Sequence, residues 1–82
     1  MTSPAAIAAA LTQALEQAAA REVGDDCVLV SMNWELLAGP AAGEIRVDVE
    51  RRTRTLVFLS AAYLAPDGAR IASAASVHRT SV

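Results

Sequence analysis

Lysine is absent from this chain of 82 residues, and cysteine, histidine and tryptophan each occur once. With Cys27 alone, no intramolecular disulfide can form and no cysteine-based metal site is suggested. Aromatic residues are limited to Trp34, Phe58 and Tyr63, so much of the 54% apolar content is alanine and its volume is modest. No apolar run approaches the roughly 20 residues that span a bilayer. No basic region followed by a leucine-rich segment marks a secretory signal. Seven basic residues, all arginine, face nine acidic ones, for a net charge of −2. A general nucleic-acid binder normally carries a strong basic excess, which this chain lacks. The expectation is a soluble cytoplasmic protein with no nucleic-acid or membrane partner. The all-arginine usage reads as the mark of a GC-rich bacterial genome more than of function.

The length predicts one domain over residues 1–82. A domain this small buries only about 60% of its unfolded surface. A thin core with an apolar surplus points to self-association, a common remedy in small domains.

What the chain does have is alanine, concentrated near its start. The run from Pro4 to Ala20 predicts a helix over about 4–22, because alanine loses no side-chain entropy on becoming helical. Ser3 suits the N-cap and Pro4 the first helical position. Ile7, Leu11 and Leu15 recur every four residues and share a stripe with Ala8, Ala14, Ala18 and Ala19. Thr12, Gln13, Glu16 and Gln17 gather on the other side. The first two turns are apolar all round, which predicts a helix covered on most sides by a sheet that wraps it. Gly24 can supply a left-handed cap, with Asp25 and Asp26 as a polar turn.

Beyond the helix the apolar period changes from 3.6 to 2. Strands are expected over about 27–37, 44–50, 55–64 and 69–78. In the first, Val28, Val30, Met32, Trp34 and Leu36 fall on one face. The segment Ala38-Gly39-Pro40-Ala41-Ala42-Gly43 breaks it. In the second, Ile45, Val47 and Val49 point inward and charges point out. Arg51-Arg52-Thr53-Arg54 reads as a compact basic link. The third strand is apolar on both faces, as a central strand should be, and Ala65-Pro66-Asp67-Gly68 is a strong turn. The last is rich in alanine and serine and suits close packing. One helix against a four-stranded antiparallel sheet is an α+β architecture. The first strand should return to an edge of the meander, and its two apolar faces imply that this edge is covered.

This order of elements resembles the hotdog-fold acyl-CoA thioesterases, in particular the phenylacetyl-CoA thioesterase-like branch. Trp34-Glu35-Leu36-Leu37-Ala38-Gly39-Pro40 looks like the family's Phe-Leu-Arg-Pro segment. Gly43-Glu44 and Asp67-Gly68 match in place, and Arg51-Arg52-Thr53-Arg54 stands where the family often has Arg-Arg-Gly-Arg. The resemblance implies a hotdog-like fold and a homodimer, or dimer of dimers, formed by pairing sheet edges. It implies hydrolysis of a small or medium acyl-CoA thioester by water, with coenzyme A thioester as substrate and no other cofactor or metal. The family usually has a further strand before the helix and a His-Gly-Gly signature at the helix start; here Thr2-Ser3-Pro4 opens the helix.

Aligned on the glycines, Gln13 takes the place of the family's helical Asp or Glu. An amide has no basic oxygen of useful pKa, so Gln13 could only orient a water or a thioester carbonyl. Glu16, one turn on, is the nearest carboxylate that could act in its stead; otherwise it is an exposed helix glutamate. Asn33 and Glu35 lie on the strand that edges the family's dimer seam near the acyl site, and a satisfied interface pair would explain them equally. Arg51, Arg52 and Arg54 suit the phosphates of coenzyme A, or form a solvated hairpin tip. Trp34 reads as core before substrate platform. His78 has no acidic or nucleophilic partner near it in sequence and is assigned no chemistry. Ser31, Ser60 and Ser73 lack the strand–turn–helix context of a nucleophile elbow. The alternative to a thioesterase is a non-catalytic hotdog-like module that binds an acyl group or a partner subunit.

Overall fold

The computed structural model describes residues 3–24, 26–37 and 43–80. Asp25 and the break at 38–42 lie outside the described residues. One helix, α1 (Pro4–Val23), precedes four strands: β1 (Val28–Leu36), β2 (Glu44–Arg52), β3 (Leu56–Leu64) and β4 (Arg70–Arg79). The strands pair antiparallel in the order β1-β4-β3-β2, so β2, β3 and β4 form a meander and β1 returns to its far edge.

The helix starts where its sequence predicts. Ser3 Oγ accepts from the Ala6 N–H at 3.1 Å, and Pro4 occupies the first turn. It ends as Gly24 donates to the Ala20 carbonyl at 2.8 Å. Gly24 has φ +94°, so the glycine is needed, but its ψ of 171° is extended and not that of a left-handed cap.

α1 lies chiefly over β3 and β4 and meets the outer strands less. Ile7, Leu11, Leu15, Ala18 and Ala19 are buried against alternate residues of the sheet: Val57, Leu59, Ala61 and Tyr63 of β3, and Ala72 and Ala74 of β4. Alanine and serine on β4 let the helix approach closely, which makes up for the shortage of large side chains. The helix is covered on one face only. Ala5, Ala6 and Ala9 are exposed, against the expectation of cover on most sides.

Three register shifts alter the facing predicted by simple alternation; one, between Tyr63 and Leu64, sets Arg70 of β4 opposite Leu64, on the helix-distal face. In β1 the shift lies between Leu29 and Ser31. It sets Leu29 opposite the buried His78, on the helix side, and sends Val28 to the other face beside Arg79. Met32, Trp34 and Leu36 keep the predicted face. In β2 the shift lies between Val49 and Arg51, and the strand runs on to Arg52. The expected basic link therefore shrinks to a tight turn, in which Thr53 and Leu56 exchange hydrogen bonds. Val49 faces the helix side yet is 46% exposed, because the helix does not extend over it. At the start of β2, a Cβ on Gly43 would collide with the Leu64 carbonyl, so only glycine fits there.

His78, given no role by sequence, is buried beneath the helix with Nε2 2.9 Å from Ser76 Oγ. The two share a hydrogen bond whose donor depends on the imidazole tautomer. Burial lowers the His78 pKa below its ordinary value, and the Glu16 carboxylate partly opposes the shift.

Two outcomes follow for stability. Leu11→Ala removes a fully buried side chain from the centre of the stripe and should cost about 2–5 kcal/mol, read as a lower urea midpoint. His78 should make the fold acid-sensitive. Above about pH 6.5 both folded and unfolded chains hold it neutral. Below that value the unfolded chain takes up the proton first, so stability falls until the lower folded pKa is passed. Urea midpoints measured from pH 7.5 to 4.5 should show this slope in the wild type, a weaker one in His78→Gln and a wider window in Glu16→Gln.

Candidate functional site

Chemistry gathers where α1 overhangs the open edge of β1. Going from Leu11 to Thr12 to Gln13, each step turns the side chain about 100° away from the sheet. Leu11 is buried, Thr12 half-buried and Gln13 exposed. Thr12 thus sits on the flank above β1. Trp34 Nε1 donates to Thr12 Oγ1 at 3.1 Å. The Thr12 hydroxyl donates to the Ala8 carbonyl at 2.8 Å, with Met32 Sδ 3.4 Å away. Glu16 is the i+4 neighbour of Thr12, so it rises from the same flank one turn on. It is exposed, and its charge reaches the buried His78.

The arrangement combines an exposed carboxylate, a tryptophan fixed by its own N–H, a thioether and an open apolar floor. Trp34 is not core: it is 48% exposed. Leu29, Val30, Leu36 and Leu37 are exposed along the same strand, and among the described residues no other element pairs with that edge. The cover that sequence demanded for β1 is not supplied by this chain's described residues. A carboxylate in such a place can accept a proton from water. An apolar floor can hold a hydrocarbon chain out of solvent.

The site residues expected from sequence do not all meet here. Glu16 belongs to the flank. Gln13 projects away from the sheet. Asn33 and Glu35 stand on the opposite, helix-distal face, in register with Ala75 and Ser73. There they line an open groove of about 570 Å³ with Asp48, Glu50 and Ser60, and Ser60 donates to Glu50 at 2.6 Å. The three arginines are separated as well. The Arg51 guanidinium lies 6.0 Å from the Phe58 ring centroid on the helix-distal face. Arg52 is on the helix side, with Nη1 3.9 Å from Glu22 Oε1, and Arg54 is exposed in the β2–β3 turn. Thr12 and His78 are the residues that sequence reading missed. The Thr12–Glu16 spacing of four was available as a signal; the meeting of Thr12 with Trp34 required the fold.

Among the described residues no group of three or more His, Cys, Asp or Glu side chains could hold a metal ion, and no helix is long and apolar enough to cross a membrane.

No protein-family model matches the chain. No curated protein matches it in sequence. Among solved structures it is similar to the BH2602 protein of Bacillus halodurans, solved with CoA, with a TM-score of 0.69 and 15% identity over 84% of this chain and 48% of that one. It is also similar to a protein of the thioesterase superfamily, with a TM-score of 0.61 and 20% identity over 78% of this chain and 50% of that one. The chain spans about half the length of these structures. At such identities the likeness is one of fold: a long helix on an antiparallel sheet, α+β and hotdog-like.

Proposed function

We propose that the protein is an acyl-CoA thioesterase-like hotdog protein that works as a homodimer paired along β1. The observation that carries this reading is the Glu16 carboxylate standing one turn from the Thr12–Trp34 pair over an uncovered apolar edge. Pairing β1 with β1 of a second copy would satisfy its free backbone groups and bury Val30 and Leu36. It would also close a groove between two helices, floored by Met32 and Trp34 of both copies. An acyl chain lies in this groove with its thioester beside Glu16, which takes a proton from the attacking water. The hydroxide equivalent adds to the carbonyl carbon, the C–S bond breaks, and the thiolate leaves with a proton. Gln13 lies further from the floor and orients water at most. Arg52 and Arg54 remain available to phosphates at the far end of the sheet, whereas Arg51, Asn33 and Glu35 face the other way. The fold similarity to a protein solved with CoA supports coenzyme A as the carrier.

A second reading, a non-catalytic module binding an acyl group or a partner subunit, draws on the amide at position 13. Release of free thiol from a panel of acyl-CoAs separates the two. Turnover that falls about 100-fold or more in Glu16→Gln and less than about threefold in Gln13→Ala is the expected result. Saturable acyl-CoA binding with no turnover would favour the module.

A further inference from the structure

One buried titratable group, the chain's sole histidine, takes no part in the proposed reaction. His78 and Ser76 point from β4 into the seam under the helix, both buried and joined through Nε2 and Oγ at 2.9 Å. The seam around them is apolar: Leu29 of β1 and Val57 of β3 stand opposite His78 in register. The helix brings a charge to this place. It runs in the same direction as β4. Thr12 lies against Met32 and Trp34, which register with Ser76 and Ala74. Further on, Glu22 reaches Arg52 at 3.9 Å, and Arg52 registers through Val57 with His78. Glu16 is one turn beyond Thr12, about 6 Å along the axis, and the two strand residues from Ser76 to His78 cover about 7 Å. Glu16 therefore comes level with His78, on the β1 flank, and its charge acts on the ring. The other charged or titratable groups at this end are placed elsewhere. Glu22 faces Arg52, Arg21 turns to the β2 flank, and Arg79 alternates to the helix-distal face. Cys27 lies half-buried at the lead-in to β1, beyond Leu29.

We propose that His78 is a positioning residue that gates Glu16. With the ring neutral, the carboxylate stands free over the β1 edge, where the proposed reaction needs it. With the ring protonated, Nε2–H donates to Ser76 Oγ, and Nδ1–H is left for another acceptor. A buried cation is costly without a partner, and Glu16 is the carboxylate on the flank above it. The Glu16 side chain turns down past Leu29 to pair with the ring, which withdraws its oxygens from water and substrate. The gate moves one proton, taken from solvent by the ring, and one side chain. Burial lowers the affinity of the ring for that proton more than the Glu16 charge raises it, so the gate closes below the ordinary imidazole range. The inference rests on Glu16 as the base of the proposed reaction and gives that reaction an acid limit set by an imidazole. The coupling is reciprocal: a ligand that engages Glu16 makes His78 harder to protonate.

As the sole histidine, His78 gives one imidazole signal in nuclear magnetic resonance, so its titration can be followed in the full chain. Its midpoint should lie below about pH 6.5 in the wild type. It should fall by a further half pH unit or about that in Glu16→Gln, and stay in place in Gln13→Ala. Thiol release from an acyl-CoA is then followed downward from about pH 7.5, over the range in which the far-UV spectrum is unchanged. The acid limb of the wild type should share the His78 midpoint. In His78→Gln the amide still suits Ser76 but takes no proton. There, turnover at about pH 5.5 relative to about pH 7.5 should exceed the wild-type ratio roughly threefold or more. Glu16 is exposed, so the titration in Glu16→Gln stands even if His78→Gln fails to fold. Equal midpoints in the wild type and Glu16→Gln, or coincident acid limbs in the wild type and His78→Gln, overturn the inference. A wild type without turnover overturns the acyl-CoA reading instead, and the titration alone then decides whether His78 and Glu16 pair.

Discussion

Everything in this molecule depends on one contact: the Ile7, Leu11 and Leu15 stripe pressed onto alternate residues of β3 and β4. Only three large side chains of the helix are fully buried in it, so close approach has to supply the cohesion that volume supplies elsewhere. Alanine and serine on β4 permit that approach. They also leave little apolar surface to hold the outer strands, which meet the helix less and carry most of the exposed large hydrophobic residues. The uncovered β1 edge and the uncovered far face are therefore consequences of the same thin core.

The polar groups sit where that core ends. Thr12 and Glu16 occupy the helix flank at the limit of its burial, above a strand edge that no described element covers. A carboxylate kept exposed there stays available to water and substrate, while His78, deeper in the same region, is desolvated and held towards its neutral form. Exposure and burial thus divide two titratable groups into a candidate reactive one and a buried one. The same boundary is why the proposed function rests its acid on residue 16 and not on residue 13. Residue 13 points away from the sheet, whereas residue 16 rises one turn from the Thr12–Trp34 pair.

Much of the fold was legible because it rests on periodic apolar residues. The four-residue recurrence of Ile7, Leu11 and Leu15, and the alternation through Val57, Leu59 and Ala61, lead straight to helix and central strand. The return of β1 to the edge of the meander also follows from connection lengths. The bulges were not legible: a shift at Val30 or Glu50 leaves composition unchanged and yet exchanges the faces of the residues beyond it. That is why Leu29 replaces Val28 beneath the helix and why adjacent Arg51 and Arg52 part to opposite faces. Alternation puts Trp34 on the helix-side face but does not tell whether the helix reaches over it, and it stays 48% exposed. The Thr12–Trp34 bond joins residues 22 apart and has no trace in local pattern.

Trp34 is the sole tryptophan and forms the floor of the proposed acyl site, so its emission reports on that site alone. Titration with a non-hydrolysable thioether analogue of an acyl-CoA is the most direct measurement. A saturable blue shift or quenching of Trp34, retained in Glu16→Gln, is the result the acyl site predicts. Emission that does not change at concentrations where calorimetry detects the analogue bound, or no binding at all, would contradict it.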